Sequence, residues 1–159
     1  AAEMRVIATD AARREKPDFV ETLWGNDQLA DLLKASDFVV SCVPHTPDTV
    51  KLSGVAQLKQ MKKTAYLINI SRGVVVDLAT LTTALQNGEI AGAGLDVFET
   101  EPLPANSPLW EMENVIITPH TAGVAPHTVN RRIDVVKENL RRFVSGEPLQ
   151  SVVDKRRWC

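Results

Sequence analysis

The stretch Ala65-Tyr66-Leu67-Ile68-Asn69-Ile70-Ser71-Arg72-Gly73 joins a mostly apolar run to a polar turn that carries an arginine and a glycine. A short run that is apolar at consecutive rather than alternate positions is typical of a parallel strand buried on both faces. The stretch therefore predicts such a strand over residues 65–70. The same pattern recurs at residues 6–9, 38–43, 90–95 and 115–117, with a possible extra short strand at residues 19–22.

Helical patterns lie between these runs, over residues 27–35, 55–61 and 77–87. In the first of them Leu29, Leu32 and Leu33 share one face, as the helical period requires. The alternation of strands and helices predicts an α/β fold with a doubly wound parallel sheet. After Gly123 the pattern changes to one long helix over residues 126–144, and residues 151–153 could form an edge strand or a docked extension.

Composition and charge exclude several classes of function. The 159 residues carry 18 basic and 20 acidic side chains, a net charge of −2, whereas a nucleic-acid-binding surface is strongly basic. The chain has no apolar run of roughly 18 residues that could span a membrane and no signal-peptide pattern. Cys42, in a predicted strand, is expected to be a buried small apolar residue, and two cysteines without a disulfide framework favour the cytoplasm.

Three residues with complementary chemistry follow predicted strands, and such positions converge on one crevice of an open α/β sheet. The planar guanidinium of Arg72 matches a carboxylate group. The imidazole of His120 can give and take protons near neutrality. A carboxylate at Glu101 would stabilise the imidazolium. These groups suit the reduction of a 2-keto acid to a 2-hydroxy acid.

Each of these residues also has an ordinary structural interpretation. Arg72 could be a surface arginine in a turn, His120 a structural histidine, and Glu101 a solvated loop residue. Glu99 competes with Glu101 for the place beside the imidazole. His45 is interpreted as a polar loop residue that could line a cofactor groove. No cluster of cysteine, histidine and acidic residues has the spacing of metal ligands.

Two aspartates at predicted strand ends suggest a dinucleotide. Asp10 stands where an acidic residue would hold the adenosine ribose and disfavour a 2′-phosphate, although it could equally be a turn or capping aspartate. Arg13 and Arg14 weaken the exclusion of the phosphate. The glycine-rich loop expected about 20 residues before such an acid would precede Ala1. Asp96 could accept a hydrogen bond from the nicotinamide amide or cap its own loop.

Four linked motifs together resemble one family. They are VPHTPDT at residues 43–49, NISRG at 69–73, GLDVFETEP at 94–102 and TPHTAG at 118–123. In this order they are similar to the D-isomer-specific 2-hydroxyacid dehydrogenases, and the likeness runs through nearly the whole chain. The resemblance implies a Rossmann-like domain over residues 1–122 without its first strand and glycine loop. Residues 123–159 would then be a return helix and tail that belong to the substrate domain.

The resemblance also implies roles for individual residues. Arg72 would bind the substrate carboxylate and carbonyl, and His120 would be the general acid and base, paired with Glu101. NAD, rather than NADP, is the expected cofactor, a small 2-hydroxy or 2-keto acid the expected substrate, and a homodimer the expected assembly. The residues implied in cofactor binding are Asp10, Val43, Pro44, Thr49, Ile70, Ser71, Arg72, Asp96, His120 and Gly123.

Two other functions are compatible with the same residues. The chain could be a non-enzymatic module that senses NADH, or an inactive truncated remnant that associates through its long helix. The presence of all three catalytic residue types favours the enzyme.

Overall fold

The computed structural model describes residues 3–13 and 15–155. Six strands and four α-helices alternate through most of this range. The strands are β1 Ile7–Thr9, β2 Thr22–Trp24, β3 Phe38–Ser41, β4 Tyr66–Asn69, β5 Gly92–Leu95 and β6 Val115–Ile117. The helices are α1 Leu29–Ala35, α2 Val55–Leu58, α3 Leu78–Gln86 and α4 Thr128–Val144.

The main sheet has four strands in the order β3-β4-β5-β6, and every pair in it is parallel. The last residues of the four strands, Ser41, Asn69, Leu95 and Ile117, lie side by side in the register. The loops that follow the strands therefore start at one edge of the sheet. The predicted parallel α/β architecture is confirmed. Strands β1 and β2 form a separate parallel pair.

Helix α3 shows how local sequence sets an element. The side chain of Asp77 accepts a hydrogen bond from the backbone N–H of Thr80 and caps the start of the helix. Gly88, with φ of 63°, follows the helix in the left-handed conformation that glycine adopts without a Cβ penalty. Between these ends, Leu81 and Leu85 are buried in the core. The core also contains Leu33, Leu58, Leu67 and Leu95.

Only one face of the main sheet is fully covered. Side chains alternate between faces along a strand, so Val39 and Leu67 point into the core. Their neighbours Phe38, Val40 and Tyr66 lie on the other face and are 41–53% exposed. The expectation that these strands are buried on both faces is therefore wrong, because these large apolar side chains of the second face are about half exposed.

Several predicted boundaries also need correction. The strand predicted over residues 38–43 ends at Ser41, because its hydrogen-bonded register with β4 stops there. The strand predicted at residues 19–22 lies instead at Thr22–Trp24, where it pairs with β1. Residues 151–153, for which the sequence left an edge strand or a docked extension open, form no strand, and all three are exposed.

The predicted long helix is present as α4, but its apolar stripe is exposed. Val129, Val136 and Leu140 are 63%, 67% and 64% exposed. The end of the helix is fixed by charged side chains: Glu138 accepts from both Arg141 and Arg142, and Arg141 also pairs with Glu147. In the described part of the chain, no helix is long and apolar enough to cross a bilayer.

Candidate active site

The loop after β4 presents Arg72 through a buried asparagine. Asn69 is 1% exposed, and its side-chain oxygen accepts from both the backbone N–H and the hydroxyl of Ser71, at 3.1 and 2.7 Å. Its amide nitrogen donates to the carbonyl of Arg72 at 3.1 Å. The Ser71 hydroxyl lies 3.1 Å from that of Ser41, which ties this loop to the loop after β3. The arginine itself is exposed and donates from Nη1 to the Ser71 carbonyl.

Gly73 brings the arginine loop against the loop that follows β5. A Cβ at this position would lie 1.9 Å from the carbonyl carbon and oxygen of Phe98 and 2.4 Å from the nitrogen of Glu99. Only glycine permits this contact between two backbones. The contact places Arg72 beside the segment that carries the candidate carboxylates.

The loop after β6 is held by Asp96, which is 4% exposed. Its Oδ1 accepts from the Thr118 hydroxyl at 2.5 Å and the Thr121 N–H at 2.8 Å, and its Oδ2 accepts from the Ala122 N–H at 2.9 Å. Burial alone would raise the pKa of Asp96, but these hydrogen bonds outweigh it and lower the pKa. The geometry supports the loop-capping interpretation of Asp96.

This anchoring fixes His120 in an unusual backbone conformation. The residue has φ of 54°, in the left-handed region, and its N–H donates to the Asp96 carbonyl at 2.9 Å. Its ring atom Nδ1 lies 2.8 Å from Oε2 of Glu101, and Oε1 of Glu101 accepts from the Phe98 N–H at 3.0 Å. The hydrogen bonds from His120 and Phe98 hold the pKa of Glu101 below its usual value.

The two candidate carboxylates, Glu99 and Glu101, have different hydrogen-bond partners. Glu99 accepts from the backbone N–H of Leu78 at 3.3 Å, at the start of α3. Glu101, not Glu99, is therefore the carboxylate paired with the imidazole. Because Nδ1 is engaged by Glu101, Nε2 is the ring nitrogen left for a ligand.

One cavity brings the three predicted catalytic residues together. It measures about 280 Å³ and is lined by His45, Arg72, Gly73, Val74, Phe98, Glu99, Glu101 and His120. It combines a guanidinium suited to an anion with an imidazole suited to proton transfer. Of these residues, Val74 and Phe98 were not singled out from the sequence.

A second cavity follows the ends of β3 and β4. It measures about 470 Å³ and is lined by Cys42, Val43, Pro44, His45, Ile70, Ser71 and Arg72. Its mixture of apolar side chains and polar groups suits a flat aromatic ring bearing an amide, such as nicotinamide. Cys42 is exposed with a free thiol, so its predicted burial is wrong: the strand ends one residue earlier.

Four predicted cofactor residues lie outside both cavities: Asp96, described above, and Asp10, Thr49 and Gly123. Asp10 accepts through Oδ1 from the N–H groups of Ala12 and Arg13, each at 2.8 Å, as in a turn; Arg14 lies outside the described residues. The hydroxyl of Thr49 accepts from the Thr46 N–H and donates to the Pro44 carbonyl, which shapes the loop beside the second cavity. Gly123 is exposed, and a Cβ there would meet no neighbour.

The sequence interpretation missed the residues that hold the loops in place. Asn69 and Thr118 were taken as parts of motifs, without a role of their own. The available signal for Asn69 was a lone amide at the end of an apolar run, because a buried polar group requires hydrogen-bond partners. Within residues 3–13 and 15–155, no three histidine, cysteine or acidic side chains come together as a metal site.

A sequence model of the D-isomer specific 2-hydroxyacid dehydrogenase NAD-binding domain matches residues 1–122. The chain belongs to this family. The match covers β1 to β6 and every residue that lines the two cavities. The family resemblance noted from the four motifs is therefore confirmed.

Relatives within the family are considerably longer. The chain is 46% identical over 154 residues to a glyoxylate reductase from Korarchaeum cryptofilum. The matched region covers 96% of this chain but only 46% of that protein. It superposes with a TM-score of 0.89 on an NADPH-dependent glyoxylate/hydroxypyruvate reductase from Sinorhizobium meliloti in complex with NADP and sulfate, at 34% identity, covering 99% of this chain and 50% of that one.

A dehydrogenase of the family from Lactobacillus delbrueckii ssp. bulgaricus, solved in its NAD-complexed form, gives a TM-score of 0.79 at 36% identity and covers 94% of this chain and 48% of that one. The chain thus spans about half the length of these relatives. These two solved relatives hold different dinucleotides, one NADP and the other NAD.

Proposed function

We propose that the protein containing this chain is an oxidoreductase that transfers hydride between NAD(H) and a small 2-keto or 2-hydroxy acid. The observation that carries this proposal is that Arg72, Glu101 and His120 line the same cavity, where Nδ1 of His120 lies 2.8 Å from Oε2 of Glu101. The relatives named above as glyoxylate reductases support the same substrate class.

Arg72 is the proposed anchor for the substrate carboxylate and the adjacent carbonyl. Its Nη1 donates to the Ser71 carbonyl, which orients the guanidinium and leaves further N–H groups for a ligand. A planar guanidinium can hold the carboxylate and polarise the neighbouring carbonyl oxygen, which withdraws electrons from the carbon that is reduced.

His120 is the proposed acid in reduction and the base in oxidation. The hydrogen bond with Glu101 holds the ring through Nδ1, so Nε2 is the nitrogen that would deliver the proton to the carbonyl oxygen. The bound nicotinamide supplies the hydride for reduction and accepts it in the reverse direction. After the proton leaves, the neutral imidazole keeps its Nδ1–H bond to Glu101.

The second cavity is the proposed nicotinamide site, with Val43, Pro44, Ile70 and Ser71 along its walls. Asp10 is proposed to prefer NAD, because a carboxylate at the end of β1 can accept the ribose hydroxyls and repels a 2′-phosphate. Replacing Asp10 with serine is expected to narrow the difference between the dissociation constants of NADH and NADPH, measured by fluorescence titration. An unchanged ratio would mean that the turn is the only role of Asp10.

The same proposal covers the parts that the relatives possess and this chain does not span. Residues 1–122 would form the dinucleotide domain and residues 123–159 the return to a substrate domain. The complete protein would be a homodimer in the cytoplasm, a compartment that suits the free thiol of Cys42. Sedimentation of the complete protein tests the dimer.

Kinetics of the complete protein with NADH and a panel of 2-keto acids tests the reaction. We expect Arg72→Ala to abolish measurable turnover and His120→Asn to lower kcat by about 10²- to 10⁴-fold. Arg131→Ala, on exposed α4, is the matched control and should retain full activity. Near-normal rates for either cavity variant would contradict the assignment. NADH binding without turnover of any keto acid by the unmodified protein would favour a sensing module.

A further inference from the structure

His45 lines both cavities, and the proposed reaction assigns it no task. It follows Pro44 in the loop after β3 and shares one cavity with Arg72 and His120 and the other with Val43 and Ile70. It therefore lies where the proposed nicotinamide site meets the proposed substrate site. In the proposed complex, a side chain at this boundary would lie beside the group that extends from the reacting carbon of the substrate.

The imidazole of His45 is available for a ligand. Among the residues that the structure describes, its ring nitrogens have no hydrogen-bond or ion-pair partner, and the side chain is exposed. The two carboxylates of the cavity are engaged elsewhere: Glu101 with His120 and Glu99 with the N–H of Leu78. A neutral imidazole offers one donor and one acceptor, so it can serve a hydroxyl group in either sense.

The smallest 2-keto acid, glyoxylate, has no group left to form a hydrogen bond with His45. Glyoxylate presents one carboxylate and one carbonyl, which Arg72 and His120 account for. A substrate with a third carbon places its C3 substituent beyond the carbonyl. A methyl group there would displace water from the His45 nitrogens without replacing its hydrogen bonds, whereas a hydroxyl would replace them.

We propose that His45 is a specificity-determining residue that favours a hydroxyl group on C3 of the 2-keto acid, so that hydroxypyruvate is preferred over pyruvate. This inference rests on the proposed function. A site built to hydrogen-bond a substrate hydroxyl rejects the analogue that lacks it far more strongly than an apolar pocket distinguishes two alkyl groups.

Steady-state kinetics of the complete protein with glyoxylate, pyruvate and hydroxypyruvate test the proposal. In His45→Leu, which removes both polar nitrogens, kcat/KM for hydroxypyruvate should fall at least about tenfold relative to the values for glyoxylate and pyruvate, the loss of one ligand hydrogen bond. His45→Gln, which keeps a donor and an acceptor, should recover part of this ratio. His127→Leu, just before α4, should leave it unchanged.

The outcomes separate the two proposals. If the unmodified protein reduces none of the three acids, the proposed function fails. If it reduces them but His45→Leu lowers all three kcat/KM values equally, or lowers none, the reaction stands and the role of His45 is overturned.

A binding measurement provides a second readout. D-glycerate and D-lactate differ only by the C3 hydroxyl. Their binding to the complete protein can be followed by NMR through the imidazole resonances of His45, His120 and His127. D-glycerate is expected to shift the His45 and His120 signals, and D-lactate the His120 signal alone. Equal effects of both acids on His45 would overturn the proposal, whereas no effect on His120 would count against the proposed site itself.

Discussion

Helices α3 and α4 have similar sequence patterns but opposite surroundings. Both carry an apolar stripe at helical spacing, yet Leu81 in α3 is 0% exposed and Leu140 in α4 is 64% exposed. The pattern therefore predicts a helix and the direction of its apolar face, but not whether anything covers that face. Both cavities belong to the part of the chain that contains α3, so their geometry does not depend on α4.

Truncating the same residue type in the two helices should separate them most clearly. Leu81→Ala leaves a hole in a closed core and should lower the free energy of unfolding by about 2–5 kcal/mol. Leu140→Ala removes a side chain that is already in water and should change it by less than about 0.5 kcal/mol. Urea unfolding of both variants measures the difference. A loss at Leu140 as large as that at Leu81 would show that α4 is covered in solution.

The glycines offer a second pair. Gly73→Ala forces a Cβ into the backbone of Phe98 and should cost about 1–3 kcal/mol, while separating the arginine loop from the Glu101 loop. Gly123→Ala places its Cβ in open space before α4 and should be nearly neutral. Unfolding measurements and NMR shifts of the 98–101 amides check both effects. Unchanged 98–101 shifts in Gly73→Ala would refute the close contact.

A third pair concerns two aspartates. Asp96→Asn loses the Oδ2 acceptor of the Ala122 N–H in a buried site and should cost about 1 kcal/mol. Amide hydrogen exchange of the 120–122 loop should also accelerate, because the loop is held by that carboxylate. Asp134→Asn, on exposed α4, should change neither quantity. Exchange that stays slow in Asp96→Asn would mean that other contacts fix His120.

Much of the fold follows from the sequence because its signals are local. Strand β6 and the central parts of β3 to β5 are predicted, since consecutive apolar residues identify a parallel strand wherever it occurs. The residues at which these strands end, and the face that is buried, depend on the other elements that pack beside each strand, and the sequence of one strand does not specify those elements. Residues 42 and 43 are apolar, yet the ladder stops at Ser41, and Val40 is exposed although it lies in the middle of an apolar strand.

The residues of the site likewise fall into those that the sequence predicts and those that it does not. Arg72, Glu101 and His120 could be predicted because they follow strands, and the carboxyl ends of parallel strands share one edge. The choice between Glu99 and Glu101 required the family resemblance, since both follow the same strand and differ only in which N–H or ring they reach. The tasks of Asn69 and of Asp96 emerged only once the loops were seen, because hydrogen bonds to a loop backbone leave no periodic pattern.

The smallest expected effect is the pH dependence of stability that comes from two glutamates with different partners, Glu138 and Glu101. Hydrogen bonds from Arg141 and Arg142 lower the pKa of Glu138 from its ordinary value of 4.5 to about 2, and His120 and Phe98 lower the pKa of Glu101. A carboxyl group whose pKa is lower in the folded state stabilises that state above the ordinary value. This contribution is lost as the pH falls through the folded-state pKa.

Both contributions should therefore be complete above pH 4.5 and weaken below it, that of Glu138 disappearing at about pH 2. The free energy of unfolding, measured with urea at about pH 5 and about pH 2.5, tests this loss. Glu138→Gln should remove the part of the loss that comes from Glu138, and Glu101→Gln the part that comes from Glu101. A pH dependence that neither variant changes would mean that neither carboxyl group gains stability from its partners.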